Sequence, residues 1–175
     1  ARPKASLSFW KRKAERFRVY FPMKISEILH PDAVVERLSA VTKKEALLEL
    51  VGPLSRLREG LDRDRMVDIL LDREKLGSTG VGEGIAIPHG KISGLNDVIV
   101  SFGRSAHGVD FEAMDGKPVH LFFLLMAPEG CAGVHLKALA KISRMLKDIP
   151  FRKQLMDAKS AEELYRLIVE QDDLC

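Results

Sequence analysis

The sequence has 175 residues, of which 46% are hydrophobic and 30% charged, and this composition is typical of a folded globular domain and excludes a disordered chain. No apolar run reaches the roughly 18 residues that a membrane-spanning helix needs. The formal net charge of +3 comes from one end, because residues 1–22 hold seven Lys and Arg residues against a single acidic residue. The remaining body carries 21 basic and 24 acidic side chains, a net charge of −3, which argues against nucleic-acid binding.

The first 22 residues form a basic and aromatic leader, ARPKASLSFWKRKAERFRVYFP. Such a segment is interpreted either as a short interfacial or partner-binding helix, or as an extension upstream of a natural start at Met23, and we favour the extension. Residues 23–175 are then expected to form one domain. The two cysteines, Cys131 and Cys175, make no disulfide framework, so a reducing cytoplasm is the expected location.

Two helices are predicted at the start of this domain. TKKEALLELVGPLSRLREG opens with a capping box of Thr42 and Glu45 and repeats apolar residues at helical spacing. Pro53 is expected to bend this helix or to end its first part, since proline lacks the helical donor. LDRDRMVDILLDREKLG follows, with Asp62 as the expected N-cap and Gly77 as the stop.

Short apolar runs after these helices predict strands: GIAIPH, DVIVSFGRS and PVHLFFLLMAP. The last is apolar on both faces and is therefore expected at the centre of a sheet. Helical spacing returns in GVHLKALAKISRMLKD, PFRKQLMDA and SAEELYRLIVEQ, the last with a second capping box of Ser160 and Glu163. Helices, then strands, then helices predict a single α/β domain whose sheet is covered on both faces.

The most distinctive segment is GSTGVGEGIAIPHGK, residues 77–91, a glycine-rich loop that runs into a histidine. An NTPase phosphate loop requires G-x-x-x-x-G-K-[ST], but Ile85 occupies the first glycine position and Ile92 follows the lysine. The dinucleotide fingerprint lacks its third glycine, and it would follow a strand, whereas a helix precedes this loop. No nucleotide site is indicated.

A metal site is also not indicated, because the histidines His89, His107, His120 and His135 are scattered and no paired-cysteine or HExxH spacing occurs. Covalent catalysis by His89 is the interpretation that remains. A neutral imidazole offers one ring nitrogen to an incoming phosphoryl group. A structural histidine is the alternative.

The neighbours of His89 favour the phosphoryl interpretation. The amides of residues 78–84 are expected to receive phosphoryl oxygens, as runs of backbone N–H groups do in anion sites. Gly90 is expected to leave an approaching protein unobstructed. Arg73 precedes the loop and His135 begins a later helix, and together they are expected to supply charge and a second imidazole.

The run REKLGSTGVGEGIAIPHGK resembles the active-site segment of the mannitol/fructose-type enzyme IIA domains of the bacterial phosphoenolpyruvate-dependent phosphotransferase system. The similarity extends over about residues 23–172 and includes FEAMDGKPVHLFFLLMAP, HLKALAKISRML and SAEELYRLI. Within that family, the sequence most resembles the nitrogen-regulatory branch, enzyme IIA-Ntr. Pro53 departs from the family, in which this helix is usually continuous.

This resemblance implies a mixed sheet flanked by helices on both faces. It implies that His89 is phosphorylated on Nε2, that His135 is the second active-site histidine, and that Arg73 lies beside the phosphoryl group. Loop residues expected to support the phosphate are Ser78, Thr79, Gly80, Gly82 and Gly84.

The resemblance also implies partners and no cofactor. Phosphate would arrive from an HPr-like carrier protein, and contact with a membrane would occur only through partners. In the regulatory branch, the phosphorylation state controls binding to target proteins. In the transport branch, phosphate passes to a cysteine of a IIB domain. The regulatory role is favoured and the transport role is the alternative.

Overall fold

A computed structural model describes residues 23–175, and the predicted leader over residues 1–22 lies outside this range. The strands are β1 (Leu29–Val35), β2 (Gly80–Gly82), β3 (Ile85–Ala86), β4 (His89–Ile92), β5 (Ile99–Val109) and β6 (Val119–Pro128). The helices are α1 (Ile25–Ile28), α2 (Lys43–Leu57), α3 (Arg63–Lys75), α4 (Ala132–Leu146), α5 (Ile149–Asp157) and α6 (Ala161–Leu174). Within residues 23–175, no helix is both long and apolar enough to cross a membrane.

The strands form one mixed sheet in the order β1-β5-β6-β3-β2, with β4 also paired to β6. β6 runs antiparallel to β5 and parallel to both β3 and β4. Its residues from Leu121 to Pro128 are all buried. The prediction of a central position for this strand is confirmed.

Helices cover both faces of the sheet, as adjacent residues of β5 show. Gly103 and Arg104 point to opposite faces because side chains alternate along a strand. A Cβ on Gly103 would meet Leu50 of α2 at 2.6 Å. The Arg104 guanidinium, on the other face, donates to the carbonyls of Leu155 and Ala158 at the end of α5, at 2.8 and 2.6 Å. The predicted α/β architecture is confirmed.

The predicted N-caps are also confirmed. Thr42 and Glu45 form a reciprocal capping box at the start of α2. Asp62 accepts from the Arg65 amide at 2.7 Å at the start of α3. Ser160 caps α6 through the Glu163 amide, but the predicted capping box is not formed, because the Glu163 carboxylate accepts from the amide of residue 159 and not from that of Ser160.

The expectation that Pro53 ends the first part of α2 is wrong, because the helix continues from Lys43 to Leu57. Proline disfavours helical backbone in the preceding residue through clashes with that residue's N–H and Cβ. The preceding residue is Gly52, which has no Cβ. Gly52 and Pro53 are both buried, so packing against the core stabilises a helix that the local sequence disfavours.

The predicted strand GIAIPH is in fact two strands, β3 and β4, interrupted before His89. Both lie beside β6, and the carbonyl of Pro88 accepts from the Leu125 amide at 2.9 Å. Part of the glycine loop forms the short edge strand β2, which the sequence did not predict. β2 turns into β3 through Gly82, Glu83 and Gly84, which all have positive φ angles, of 99°, 56° and 77°. Glycine accommodates this backbone without strain.

Candidate active site

His89 lies at the start of β4, where it is paired with Leu125 of the central strand. Burial alternates along β4, so that Gly90 and Ile92 are buried while His89 is half-buried and Lys91 is exposed. Because alternate side chains share one face of a strand, His89 and Lys91 project on the same side. The imidazole is therefore held by the rigid sheet and remains accessible to another protein.

A backbone hydrogen bond selects the tautomer of His89. Its Nδ1 lies 2.8 Å from the carbonyl oxygen of Ile87. Since a carbonyl oxygen only accepts hydrogen bonds, Nδ1 carries the proton in the neutral ring. Nε2 is then unprotonated and offers its lone pair to an electrophile.

His135 lies in the first turn of α4 and contacts His89. The two ring centroids are 5.4 Å apart, and the ring planes meet at 64° in an edge-to-face arrangement. The His135 side chain is buried, and its Nδ1 has no hydrogen-bond partner within residues 23–175. Two imidazoles that are distant in sequence therefore meet at one site.

Arg73 lies in the last turn of α3, just before the glycine-rich loop. Its Nη1 donates to the carbonyl of Gly77 at 3.0 Å, an interaction that helps to close the C-terminal end of the helix. The guanidinium is also close enough to lower the pKa of His89, after the larger effect of burial. His89 and His135 are therefore in direct contact, and Arg73 lies near enough for its charge to act on the His89 ring.

Gly90 has a different role from the one expected. It is buried, and a Cβ at this position would meet Cγ2 of Ile69 on α3 at 2.7 Å. The expectation that Gly90 clears the approach of a partner protein is wrong, because its missing side chain faces the core. Instead, glycine lets α3, which carries Arg73, pack closely against β4.

Replacing Gly90 by valine is expected to push α3 away from β4. Overpacking of this kind typically costs about 1–3 kcal/mol. Urea unfolding should therefore give a lower free energy of unfolding for Gly90→Val. Lys91→Val, which adds the same residue at the exposed neighbouring position, is the control and should be close to wild type. Equal stability of the two variants would contradict the close approach.

The pKa values of both histidines are lowered. Burial is the main cause for His89, and the nearby Arg73 charge adds to it, while the hydrogen bond to Ile87 opposes it. Burial also lowers the pKa of His135, with smaller effects from His89 and Lys91. Both rings are therefore neutral at pH 7, which is the form a nitrogen nucleophile requires.

The lowered pKa predicts the pH dependence of phosphoryl acceptance. A group with a lowered pKa stays neutral to a lower pH than usual, so the rate should not fall until the pH is below the ordinary histidine value of about 6.5. An NMR titration of the His89 ring should give a pKa below that of a histidine in an unfolded peptide. A pKa above 6.5 would contradict the described environment.

The phosphate-binding role of the glycine-rich loop remains a prediction. Several of the loop amides that were expected to bind phosphate donate hydrogen bonds within the folded chain. The amide of Thr79 donates to the Glu74 carboxylate at 3.2 Å, and that of Gly80 donates to Ser78 Oγ at 3.1 Å. The amide of Glu83 donates to the carboxylate of Asp115 at 2.9 Å.

Sequence reasoning missed two charged residues behind this loop, Glu74 and Lys43. Glu74 is buried, and its carboxylate accepts from both the amide and the hydroxyl of Thr79. The Lys43 ammonium lies 3.2 Å from that carboxylate. The signal that could have indicated Glu74 is its position beside Arg73 within the REKLGSTG run. Helical spacing alone does not distinguish a buried carboxylate from an exposed one.

A sheet that presents His89 beside a second histidine and an arginine fits a class of phosphoryl-transfer domains. Residues 27–171 match the family model described as "Phosphoenolpyruvate-dependent sugar phosphotransferase system, EIIA 2". The chain belongs to this family, whose members are phosphotransfer components. The expectation drawn from the REKLGSTG run is confirmed at this level.

Three relatives illustrate the match. A "Nitrogen regulatory protein" of Bradyrhizobium diazoefficiens is 43% identical over 146 residues, which cover 83% of this chain and 95% of that protein. The "PTS system fructose-specific EIIABC component" of Bacillus subtilis is 38% identical over 86% of this chain but only 24% of its own length. The crystal structure of IIA-Ntr from Neisseria meningitidis superposes with a TM-score of 0.77 at 38% identity, and the match covers 82% of this chain and 98% of that one.

Proposed function

We propose that the domain over residues 23–175 is a phosphohistidine carrier that accepts a phosphoryl group on His89 from an HPr-like protein. We propose further that it acts as a nitrogen-regulatory component, through protein binding that depends on its phosphorylation state. The observation that carries the proposal is the His89 ring: its Nδ1 lies on the Ile87 carbonyl, its Nε2 has no hydrogen-bond partner within residues 23–175, and the ring contacts His135. Similarity to nitrogen regulatory proteins supports the regulatory role.

The proposed reaction is an in-line transfer between two histidines. The Nε2 lone pair of His89 attacks phosphorus as the bond from phosphorus to the carrier's histidine nitrogen breaks, and the leaving nitrogen recovers the electron pair. The Nδ1 proton stays on His89, where the Ile87 carbonyl stabilises the positive charge that develops on the ring. Catalysis of this kind consists mainly of positioning and of stabilising the charge on the phosphoryl oxygens.

Arg73 and His135 are proposed to stabilise those oxygens. The planar guanidinium of Arg73 can donate to two oxygens at once, which gives strong charge-assisted hydrogen bonds. An imidazole N–H of His135 is proposed as a further donor. Because both rings are neutral before transfer, the arriving negative charge meets one full cation and one neutral donor.

The surface around His135 suits a protein partner. Val134 and Leu136, on either side of it, are 42% and 64% exposed, and Leu76, next to the glycine loop, is 84% exposed. Large apolar side chains that are exposed next to one another are typical of protein interaction sites. Phosphorylation of His89 would add about two negative charges to this surface. A partner that binds the unmodified form should therefore lose affinity.

The test is phosphorylation by a purified HPr-like carrier, followed by titration of a captured partner with each form of the chain. We expect acid-labile labelling, and at least about a tenfold difference in dissociation constant between the two forms, which corresponds to 1.4 kcal/mol. Absence of labelling would overturn the carrier function.

Sugar transport is the second candidate, favoured by the 38% identity to a fructose-specific component. Equal affinities of the two forms for the captured partner, together with rapid transfer of phosphate to a sugar-specific IIB domain, would favour it over regulation.

A further inference from the structure

A chain of contacts connects a buried ion pair behind the loop to the ring of His89. The Glu74 side chain is only 4% exposed, and its carboxylate accepts from the amide and hydroxyl of Thr79. The Thr79 carbonyl accepts from the Ile87 amide at 3.0 Å. The Ile87 carbonyl is the acceptor that holds His89 Nδ1–H at 2.8 Å. Two backbone steps therefore separate the Glu74 carboxylate from the reacting ring.

We infer that Glu74, held by Lys43, is a positioning residue that keeps His89 in the tautomer with a free Nε2. This inference rests on the proposed function of His89 as the phosphoryl acceptor. Glu74 acts through Thr79 and Ile87 and does not touch the phosphoryl group. The carboxylate is suited to this role because, when ionised, it only accepts hydrogen bonds, and it can satisfy both Thr79 donors at once.

Lys43 pairs with the Glu74 carboxylate in a buried place. An ionised carboxylate away from water is unfavourable unless it is paired and hydrogen-bonded. Lys43 lies 3.2 Å from Glu74 and 2.8 Å from Glu112, and its ammonium lies 5.1 Å from the centre of the Phe111 ring. Burial alone would lower the pKa of Lys43, but hydrogen bonds to Glu112 and Glu74 outweigh it and raise the pKa.

The position of the His89 ring affects the rate of transfer, because the ring must present Nε2 in line with phosphorus. A shift of about 1 Å in a reacting group can cost on the order of 100-fold in rate. If the Thr79 backbone moves, the Ile87 amide loses its acceptor and the Ile87 carbonyl can turn away from His89. The hydrogen bond that favours a proton on Nδ1 would then be lost, and a ring protonated on Nε2 cannot attack through Nε2.

Glu112 offers a matched control. It pairs with the same lysine, but its side chain is 76% exposed, and within residues 23–175 the Thr79 amide and hydroxyl donate to Glu74 and not to Glu112. Glu74→Gln and Glu112→Gln each remove one negative charge beside Lys43. Only Glu74→Gln changes the group that holds Thr79.

The experiment compares these two variants with the wild type in the full chain. Nitrogen-15 NMR of the unphosphorylated His89 ring reports the tautomer, and the rate of acceptance from the HPr-like carrier reports transfer. In Glu74→Gln, we expect the Nε2–H tautomer to become detectable and acceptance to fall at least about tenfold, while Glu112→Gln stays within about twofold of wild type. Thr79→Val removes only the hydroxyl donor and should change the tautomer population and the acceptance rate in the same direction. This variant replaces Glu74→Gln in the experiment if Glu74→Gln does not fold.

A wild-type tautomer and rate in folded Glu74→Gln, or in Thr79→Val if Glu74→Gln does not fold, would overturn the inference. An equal loss in Glu112→Gln would also overturn it, because the effect would then be one of charge near Lys43 alone. The NMR result requires no phosphate. Failure of all forms to accept phosphate would therefore count against the proposed function, whereas the tautomer would still decide the role of Glu74.

Discussion

Replacing His89 by alanine is expected to abolish phosphorylation of the chain by phosphoenolpyruvate, enzyme I and an HPr-like carrier. The reason is that His89 presents an unprotonated Nε2 on a strand of the sheet, whereas His135 is only 7% exposed. The measurement is acid-labile label incorporated into the purified chain. His89→Ala should fold normally, because within residues 23–175 the half-buried ring makes a single hydrogen bond.

His135→Ala is the companion variant, and it should still be labelled at His89. Loss of a donor to the phosphoryl oxygens is expected to slow acceptance by about 100-fold or more without changing the site of modification. Label that persists in His89→Ala, and disappears only when His135 is also replaced, would show that the two roles have been assigned the wrong way round.

Arg73→Lys is expected to lower the rate of phosphoryl transfer by about tenfold, and Arg73→Ala by about 100-fold or more. Lysine keeps the positive charge but loses the planar fork that spans two phosphoryl oxygens. Rapid-quench measurement of acceptance from the carrier would give both rates. Stability should fall by only about 1 kcal/mol, since the folded chain loses one hydrogen bond to the Gly77 carbonyl.

Arg65→Lys is the matched control for Arg73, because Arg65 lies near the other end of the same helix and donates at 2.7 Å to Ser93 Oγ, which follows the end of β4 opposite to His89. It should transfer phosphate at the wild-type rate. Transfer at the wild-type rate in Arg73→Lys and Arg73→Ala as well would show that Arg73 only closes the end of α3.

Local sequence patterns predicted much of the fold. The capping residues Thr42 and Asp62 were identified correctly because each cap depends on neighbours within three residues. β6 was placed at the sheet centre because both of its faces are apolar. The effect of Pro53 was predicted wrongly because it depends on the glycine before it and on burial in the core. The sequence of the helix alone does not reveal that burial.

Less of the candidate site than of the fold could be predicted from the sequence. The glycine loop and His89 are continuous in sequence, and a long shared run identified them. Gly90 was given the wrong role because sequence alone does not reveal which side of the strand faces α3. Glu74 and Lys43 were missed because their pairing joins residues 31 positions apart, and a charged residue on a helix is usually exposed.

The central claim is that Nε2 of His89 receives the phosphoryl group. The most direct test is nitrogen-15 and phosphorus-31 NMR of the full chain after phosphorylation by the carrier. The structure predicts one phosphohistidine, at His89, with phosphorus bonded to Nε2 and the proton retained on Nδ1 toward Ile87. Phosphorus on Nδ1 of His89, or on His135, would contradict it.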